Sequence, residues 1–404
     1  MNLYISGISG TGMGPLALMA KAAGFNVCGT DLSKGAVYDE LIKAGIEVEI
    51  GEQDGGFLRE KAKDGIDWLV YTSALAADHP ELKLAKELGI KATKRDELTA
   101  FLIEKLNLKM VAVAGTHGKT TTTSMIVFAA KKLGLPAAYI VGTTLNFAPS
   151  GAYHEGDKFF IYEADEYDRN FLKFHPWLAV LPSVSYDHPD IYPTKEDYLA
   201  AFEQFKSQSD KIIEDADVDG IKLAGAARRR DAALAAMAIK EMAPETEMTK
   251  IVEILNEFPG VGRRFERLAD GIYTDYAHHP EEIAATIDVA IDEAELRNKK
   301  GVVVVYQPHQ NTRQHEMYDK YFDAFIGAEK IFWLPTYLTR ENPELKVLTP
   351  ADLITWLSNA ERAEVAELDD ELYKRVIEYR DDGYLVLLMT AGPADGWLRE
   401  KIKK

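Results

Sequence analysis

The stretch that most constrains this chain is Val111–Ser124, VAVAGTHGKTTTTS. An apolar, β-branched run, Met110–Ala114, meets Gly115-Thr-His-Gly118-Lys119-Thr120-Thr121, and a helix-compatible segment follows. Strand, glycine loop and helix start stand in succession. N–H groups at a helix start can surround phosphates, a lysine neutralises them, and the hydroxyl after the lysine can hold Mg²⁺. The strict form of this loop has glycine five residues before Gly118, where Val113 stands, so GTHGKT is a shortened variant. The other reading is an ordinary strand-to-helix turn that carries a lysine. The coincidence of two glycines, lysine, threonine and strand–loop–helix context favours the phosphate site.

Other loops of the same kind flank this one. Asn2–Ser6 reads as a first strand, followed by Gly7-Ile-Ser-Gly10-Thr-Gly12-Met-Gly14, an apolar helix, a second strand Phe25–Gly29 and then Asp31. Glycines there allow a pyrophosphate close to the backbone, and an acid after the second strand can take ribose hydroxyls. The spacing is GxxGxGxG rather than GxGxxG, so a nucleotide-diphosphate site and a merely tight turn both remain open. After the strand Lys158–Tyr162 come Glu163, Asp165, Glu166 and Asp168. Glu163 directly follows an apolar strand, which suits a carboxylate for nucleotide-bound Mg²⁺. A solvated acidic loop is the alternative. His188 follows a third strand, Leu178–Leu181, and is either a metal ligand or a structural histidine. Arg228, Arg229 and Arg230 open the helix Ala226–Met242 against its macrodipole. They are either a solvated charge run or partners of an anion.

Further on, polar segments again follow strands: Tyr276-Ala-His278-His279-Pro280, Gln307-Pro-His309-Gln-Asn-Thr-Arg313 and Ala391-Gly-Pro-Ala-Asp395. Polar loops at the carboxyl ends of strands in one sheet point to a shared cleft. The 404 residues suffice for two or three domains. A net charge of −18 opposes a general affinity for nucleic acid or anionic membrane. The longest apolar runs are strand-length, and MNLYISGISG has no basic n-region, so neither a membrane span nor a secretory signal is expected. The single cysteine, Cys28, excludes an internal disulfide and suits the cytoplasm.

In this order, AGTHGKTTTTSM, EADEYD, DHPD, GVGRRFE, DYAHHPEE and QPHQNTR resemble the Mur ligase family, ATP-dependent amide-forming enzymes of peptidoglycan precursor synthesis. The resemblance implies three α/β domains: a Rossmann-like UDP-sugar domain over 1–107, a shortened P-loop ATPase-type domain over 108–260, and a Rossmann-like amino-acid domain over 261–404. It implies ATP and Mg²⁺, with L-alanine joined to the lactyl carboxylate of UDP-N-acetylmuramate through an acyl phosphate, in a monomer or homodimer. Gly115, Thr116, His117, Gly118, Lys119, Thr120 and Thr121 would bind ATP, joined by Arg264 and Asp275. Thr120, Glu163 and His188 would hold metal, and Lys119, Glu163, His188 and Arg264 would be catalytic, Arg264 arriving by domain closure. Gly10, Thr11, Gly12, Met13, Asp31 and Ser73 would bind the UDP-sugar, and Tyr276, His278, His309 and Arg313 the amino acid.

The chain departs from the family pattern in places. The bridge from Phe205 to Gly225 is very short. The family's adenine-contacting GxHNxxN reads Gly225-Ala-Ala-Arg228-Arg-Arg-Asp231, without its histidine and asparagines, so arginine stacking would have to replace them. Ser183-Val-Ser185 stands for Asn-x-Glu, and Gln310 for an arginine. Two other functions follow from these departures: a recycling ligase that adds L-Ala-γ-D-Glu-meso-diaminopimelate, or a nucleotide- or UDP-sugar-binding protein with a degenerate ATP site.

Overall fold

Three sheets, each wrapped by helices, carry the chain. The computed structural model describes residues 1–72, 75–186, 191–339 and 341–403. They fall into two units, Met1–Ile221 with Ala227–Phe258, and Lys222–Ala226 with Pro259–Lys404.

The first unit holds two sheets. β1 (Asn2–Ser6), β2 (Asn26–Asp31), β3 (Glu47–Ile50), β4 (Trp68–Tyr71) and β5 (Lys91–Lys94) are all parallel in the order β3-β2-β1-β4-β5. The strand order reverses at β1, so the loops after β1 and β4 border the crevice where such sheets bind ligands. β6 (Lys109–Val113), β7 (Ala137–Ile140), β8 (Gly151–Ala152), β9 (Phe159–Glu163), β10 (Leu178–Val180) and β11 (Ile212–Ile213) form the second sheet in the order β11-β10-β6-β9-β7-β8. β6 lies between β9 and β10, with Val113 opposite both Glu163 and Val180. The glycine loop after β6 is thereby bracketed by the ends of its two neighbours. The short bridge noted above builds only the two-residue edge strand β11 before the helix Ala226–Met242.

The two sheets share one apolar core, in which Leu3, Ile5 and Met19 belong to the same cluster as Phe160, Tyr162 and Phe202. The Ser150 N–H and hydroxyl both donate to Glu40 Oε2, at 2.7 and 2.9 Å, tying the residue before β8 to the helix Tyr38–Lys43 that follows β2. A polar knot sits inside the first sheet. Glu81 is fully buried and accepts from Tyr4 Oη (2.5 Å), Thr30 Oγ1 (2.8 Å) and Ser6 Oγ, while Gln53 Nε2 donates to Ser6 and Thr30.

The second unit holds β12 (Glu266–Ala269), β13 (Ile272–Asp275), β14 (Val302–Gln307), β15 (Ala328–Trp333), β16 (Ala363–Val365) and β17 (Leu385–Thr390) in the order β12-β13-β17-β14-β15-β16. Only β12 is antiparallel. Strand residues alternate between two cores, as a pleated strand buried on both faces requires. Val302, Val304 and Tyr306 pack with Ile283 and Ile287 of the helix Pro280–Leu296 on one face. Val303 and Val305 pack with Leu372, Val376 and Leu398 on the other. Among the described residues, no helix is long and apolar enough to cross a membrane.

Candidate functional site

The loop after β6 is built by backbone that only glycine tolerates. Gly115 has φ 153° and Gly118 φ 85°. A Cβ on Gly115 would stand 2.5 Å from Ser183 O, and one on Gly118 2.7 Å from Asp231 Oδ1. The helix Lys119–Leu133 starts there and ends on Gly134 in the left-handed region. Its first-turn N–H groups lack intrahelical acceptors and face the loop. The loop is stapled to the segment after β10. Thr116 and His117 donate their N–H groups to Ser183 O (2.8 Å) and Ser183 Oγ (3.0 Å). Thr116 Oγ1 accepts from Ser185 N–H at 2.9 Å.

Lys119 folds back over the loop. Its Nζ donates to Gly115 O (2.5 Å) and to Glu166 (2.9 Å). Glu166 is 1% exposed, and burial pushes its carboxyl above the ordinary range, opposed by the Lys119 ammonium. Thr120 Oγ1 donates to Glu163 Oε1 at 3.0 Å. A hydroxyl and a carboxylate are hard oxygen donors of the kind Mg²⁺ takes. Among the described residues, no three His, Cys, Asp or Glu side chains cluster tightly enough to hold a metal. Phosphate oxygens would therefore have to complete the shell, as they do around nucleotide-bound Mg²⁺. The glycine cradle, the lysine and this donor pair fit a magnesium nucleotide. His188 and Ser73 lie outside the described residues.

A cleft of about 190 Å³ joins the two sheets of this unit, with Thr11 and Gly12 from the loop after β1 and Glu163 and Asp165 from the end of β9 on its wall. Arg95 spans it. Its Nη2 reaches Asp165 Oδ2 at 3.1 Å, and a Cβ on Gly12 would stand 3.0 Å from Nη1. The structure thus brings part of the expected UDP-sugar loop beside the expected metal carboxylate. Gly10 O accepts from the N–H groups of Met13 and Gly14. The Met13 side chain is buried in the core, leaving only backbone for a ligand. Asp31 Oδ2 accepts the Ser9 N–H at 2.9 Å, so it shapes the glycine loop.

In the second unit, the ends of β13, β14 and β17 lie side by side. Arg264 sits between two non-glycine residues of positive φ, Arg263 (60°) and Phe265 (45°). Arg263 is anchored through Nη2 to Thr390 O and by its guanidinium 4.7 Å over the Tyr276 ring. Asp275 uses one carboxylate oxygen on Phe265 N–H (2.6 Å) and the other on Ala277 N–H (2.7 Å). Desolvation raises its pKa, against those donors and Arg264. Its geometric role is to fix the segment that carries Arg264. Tyr276, His278, His309 and Arg313 do come together. The His278 and His309 rings are 5.7 Å apart, Tyr276 and His278 5.3 Å, and Arg313 Nη1 lies 3.4 Å from His309 Nδ1. Burial lowers the pKa of both histidines, and Arg313 lowers it further.

Sequence reasoning missed Arg95, Glu166 and Asp231 as parts of these sites. Arg95 reads only as the first residue of a helix. Glu166 and Asp231 stand in charge runs, and only tertiary packing distinguishes a buried acid in such a run from a solvated one.

Residues 2–105 match the profile described as the Mur ligase family, catalytic domain, and residues 113–253 that of the Mur ligase middle domain. The UDP-N-acetylmuramate–L-alanine ligase of Carboxydothermus hydrogenoformans is 30% identical across 96% of this chain and 94% of its own length. The protein of the same name from Porphyromonas gingivalis is 29% identical across 97% and 96%. Among solved structures, the UDP-N-acetylmuramate-alanine ligase of Thermotoga maritima matches with a TM-score of 0.75 at 22% identity, over 100% of this chain and 98% of that one. A murein peptide ligase of Psychrobacter arcticus matches at 0.58 and 21%, over 100% and 98%. Those two likenesses concern the fold, whereas the sequence likeness to the first two proteins runs nearly end to end: the chain belongs to the Mur ligase family.

Proposed function

We propose that this protein is an ATP-dependent ligase that joins L-alanine to the lactyl carboxylate of UDP-N-acetylmuramate in peptidoglycan precursor synthesis. The observation that carries the reading is the cleft that sets Thr11 and Gly12 against Glu163, the partner of Thr120 beside the Lys119 loop. It gives a sugar-nucleotide acceptor and a nucleoside triphosphate one meeting point. The names of the relatives supply the acceptor and the amine.

The chemistry follows from charge. Carboxylate attack on the γ-phosphate joins two anions, so neutralisation and alignment matter more than covalent help. Lys119 would leave Glu166 for the β- and γ-phosphates, and the helix N–H groups would cradle them. Thr120 with Glu163 would hold one Mg²⁺ and His188 a second, and the bound metal would supply positive charge that offsets the repulsion of the two anions. Arg264 would stabilise the transferring phosphoryl group, and Asp275 would fix its segment. The amine of L-alanine then attacks the acyl phosphate and phosphate leaves. Arg313 would bind the alanine carboxylate, with Tyr276, His278 and His309 around the amine. The reaction suits the cytoplasm, where both nucleotides reside.

Gln310, in place of the family's arginine, supports a second reading in which a peptide is the amine donor. The test is an assay for ADP and the amide product with UDP-N-acetylmuramate, ATP and Mg²⁺. L-alanine and L-Ala-γ-D-Glu-meso-diaminopimelate are supplied separately. Product with L-alanine supports the first reading, and product with the tripeptide alone supports the second. ADP from neither would sink both and leave a binding protein.

A further inference from the structure

The arrangement of hydrogen bonds around the two histidines fixes their tautomers. His278 Nδ1 lies 3.0 Å from Tyr276 O. A carbonyl only accepts, so Nδ1 carries the proton and Nε2 keeps its lone pair. His309 Nδ1 lies 3.4 Å from Arg313 Nη1, which only donates. His309 therefore carries its proton on Nε2. One ring offers an acceptor nitrogen and its neighbour, nearly perpendicular at 84°, a donor nitrogen. The His278 side chain is 18% exposed, so the ring is shielded but not closed off from solvent.

We propose that His278 Nε2 is the base that takes a proton from the incoming ammonium group. This deepens the ligase reading and rests on it. An amino acid arrives at neutral pH as an ammonium ion, which has no lone pair to attack with. Transfer of one N–H proton to His278 Nε2 gives the neutral amine and an imidazolium. The amine lone pair forms the C–N bond at the acyl phosphate carbonyl. As the tetrahedral intermediate collapses, the C–O bond to phosphate breaks. The second amine proton leaves with phosphate as HPO₄²⁻, and His278 returns its proton to water.

The surroundings suit that cycle. Burial, Arg313 and His279 keep His278 neutral before the transfer, and Glu282, with Oε2 3.4 Å from Nδ1, supports the imidazolium after it. Glu282 also accepts the N–H groups of His278 and His279, both at 3.2 Å, which holds the loop at the start of the helix Pro280–Leu296. Tyr306 from β14 donates to His278 O at 3.3 Å, and His309 and Arg313 face the ring from the segment after β14.

The test separates amine activation from acyl phosphate formation by changing the nucleophile. Hydroxylamine is largely uncharged at pH 7 and captures acyl phosphates without a base. In His278→Asn the side-chain amide can still donate to Tyr276 O, but nothing stands at the Nε2 position. His278→Gln, with its amide near the Nε2 position, is the second variant. Both should lose ~10²-fold or more in kcat with L-alanine relative to hydroxylamine. Their residual L-alanine rate should climb about tenfold per pH unit towards alkaline pH, as free amine becomes available. Equal losses with both nucleophiles, or a raised KM for L-alanine with unchanged kcat and pH profile, would overturn the proposal. Failure of the unaltered protein to form any hydroxamate would instead remove the ligase reading beneath it.

Discussion

Asp231 offers a measurement in which the sign is as informative as the size. It is 7% exposed, beneath Gly118 of the phosphate loop. Burial raises its carboxyl from 3.8 to about 7, against the Thr122 hydroxyl, Arg230 and Arg228. The folded state thus holds this proton more tightly than the unfolded chain, so Asp231 lowers stability progressively as pH rises from about 4 to about 7. At ~1.4 kcal/mol per tenfold, the full penalty above pH 7 is ~4 kcal/mol, an upper bound because side chains and water relax around the charge. Asp231→Asn keeps the shape and removes the titration. We expect the variant to match the parent at pH 4.5 within about 1 kcal/mol and to exceed it by about 2–4 kcal/mol at pH 8. The assay is urea unfolding at both pH values, following the transition of the first unit by the fluorescence of Trp68 and Trp177 in a background lacking the other tryptophans. A difference that is the same at both pH values, or a less stable variant at pH 8, would refute the argument. An asparagine here also restores the residue the family pattern has at this position.

Three further outcomes follow from the same geometry. Lys119→Ala should lower ADP formation by at least ~10³-fold, because the loop loses the ammonium that in this reading binds the β- and γ-phosphates. Arg95→Ala should raise KM for UDP-N-acetylmuramate by about 10-fold or more while changing KM for ATP little, since Arg95 spans the cleft beside Gly12; parallel changes in both would count against it. Glu81→Ala should destabilise the first unit by about 3 kcal/mol or more in urea, because the hydroxyls of Tyr4, Ser6 and Thr30 lose their shared acceptor in a site closed to water.

Much of the fold is visible in the sequence because parallel strands covered on both faces are continuous apolar runs. Val302–Tyr306 and Leu385–Met389 show this, and the structure keeps both starts and extends each strand by one residue. Thr194 is legible for a different reason: its hydroxyl accepts the Asp197 N–H at 3.1 Å, a local bond that the neighbouring residues specify. Gly151–Ala152, Ile212–Ile213 and Ala363–Val365 carry no such signal, since edge strands of two or three residues have no period to read. The glycine loop and the Thr120–Glu163 pair are legible because Gly115 and Glu163 stand at the carboxyl ends of apolar strands and Thr120 directly follows the loop's lysine. Glu166 and Asp231 are not, because their burial depends on what packs over them.

The position of Glu163 at the last residue of β9 links the chemistry to the interior. Phe160 and Tyr162 of that strand belong to the apolar core, and Val113 fixes the register across to the phosphate loop. Side chains alternate along a strand, so a one-residue insertion or deletion within Phe159–Tyr162 would turn the carboxylate to the opposite face. Such a lesion would silence the proposed metal site without altering any residue in it. In a survey of random variants, loss of function at β9 would therefore map to greasy interior positions, and tolerance to length change would be lowest there and highest in the loops at the amino ends of the strands.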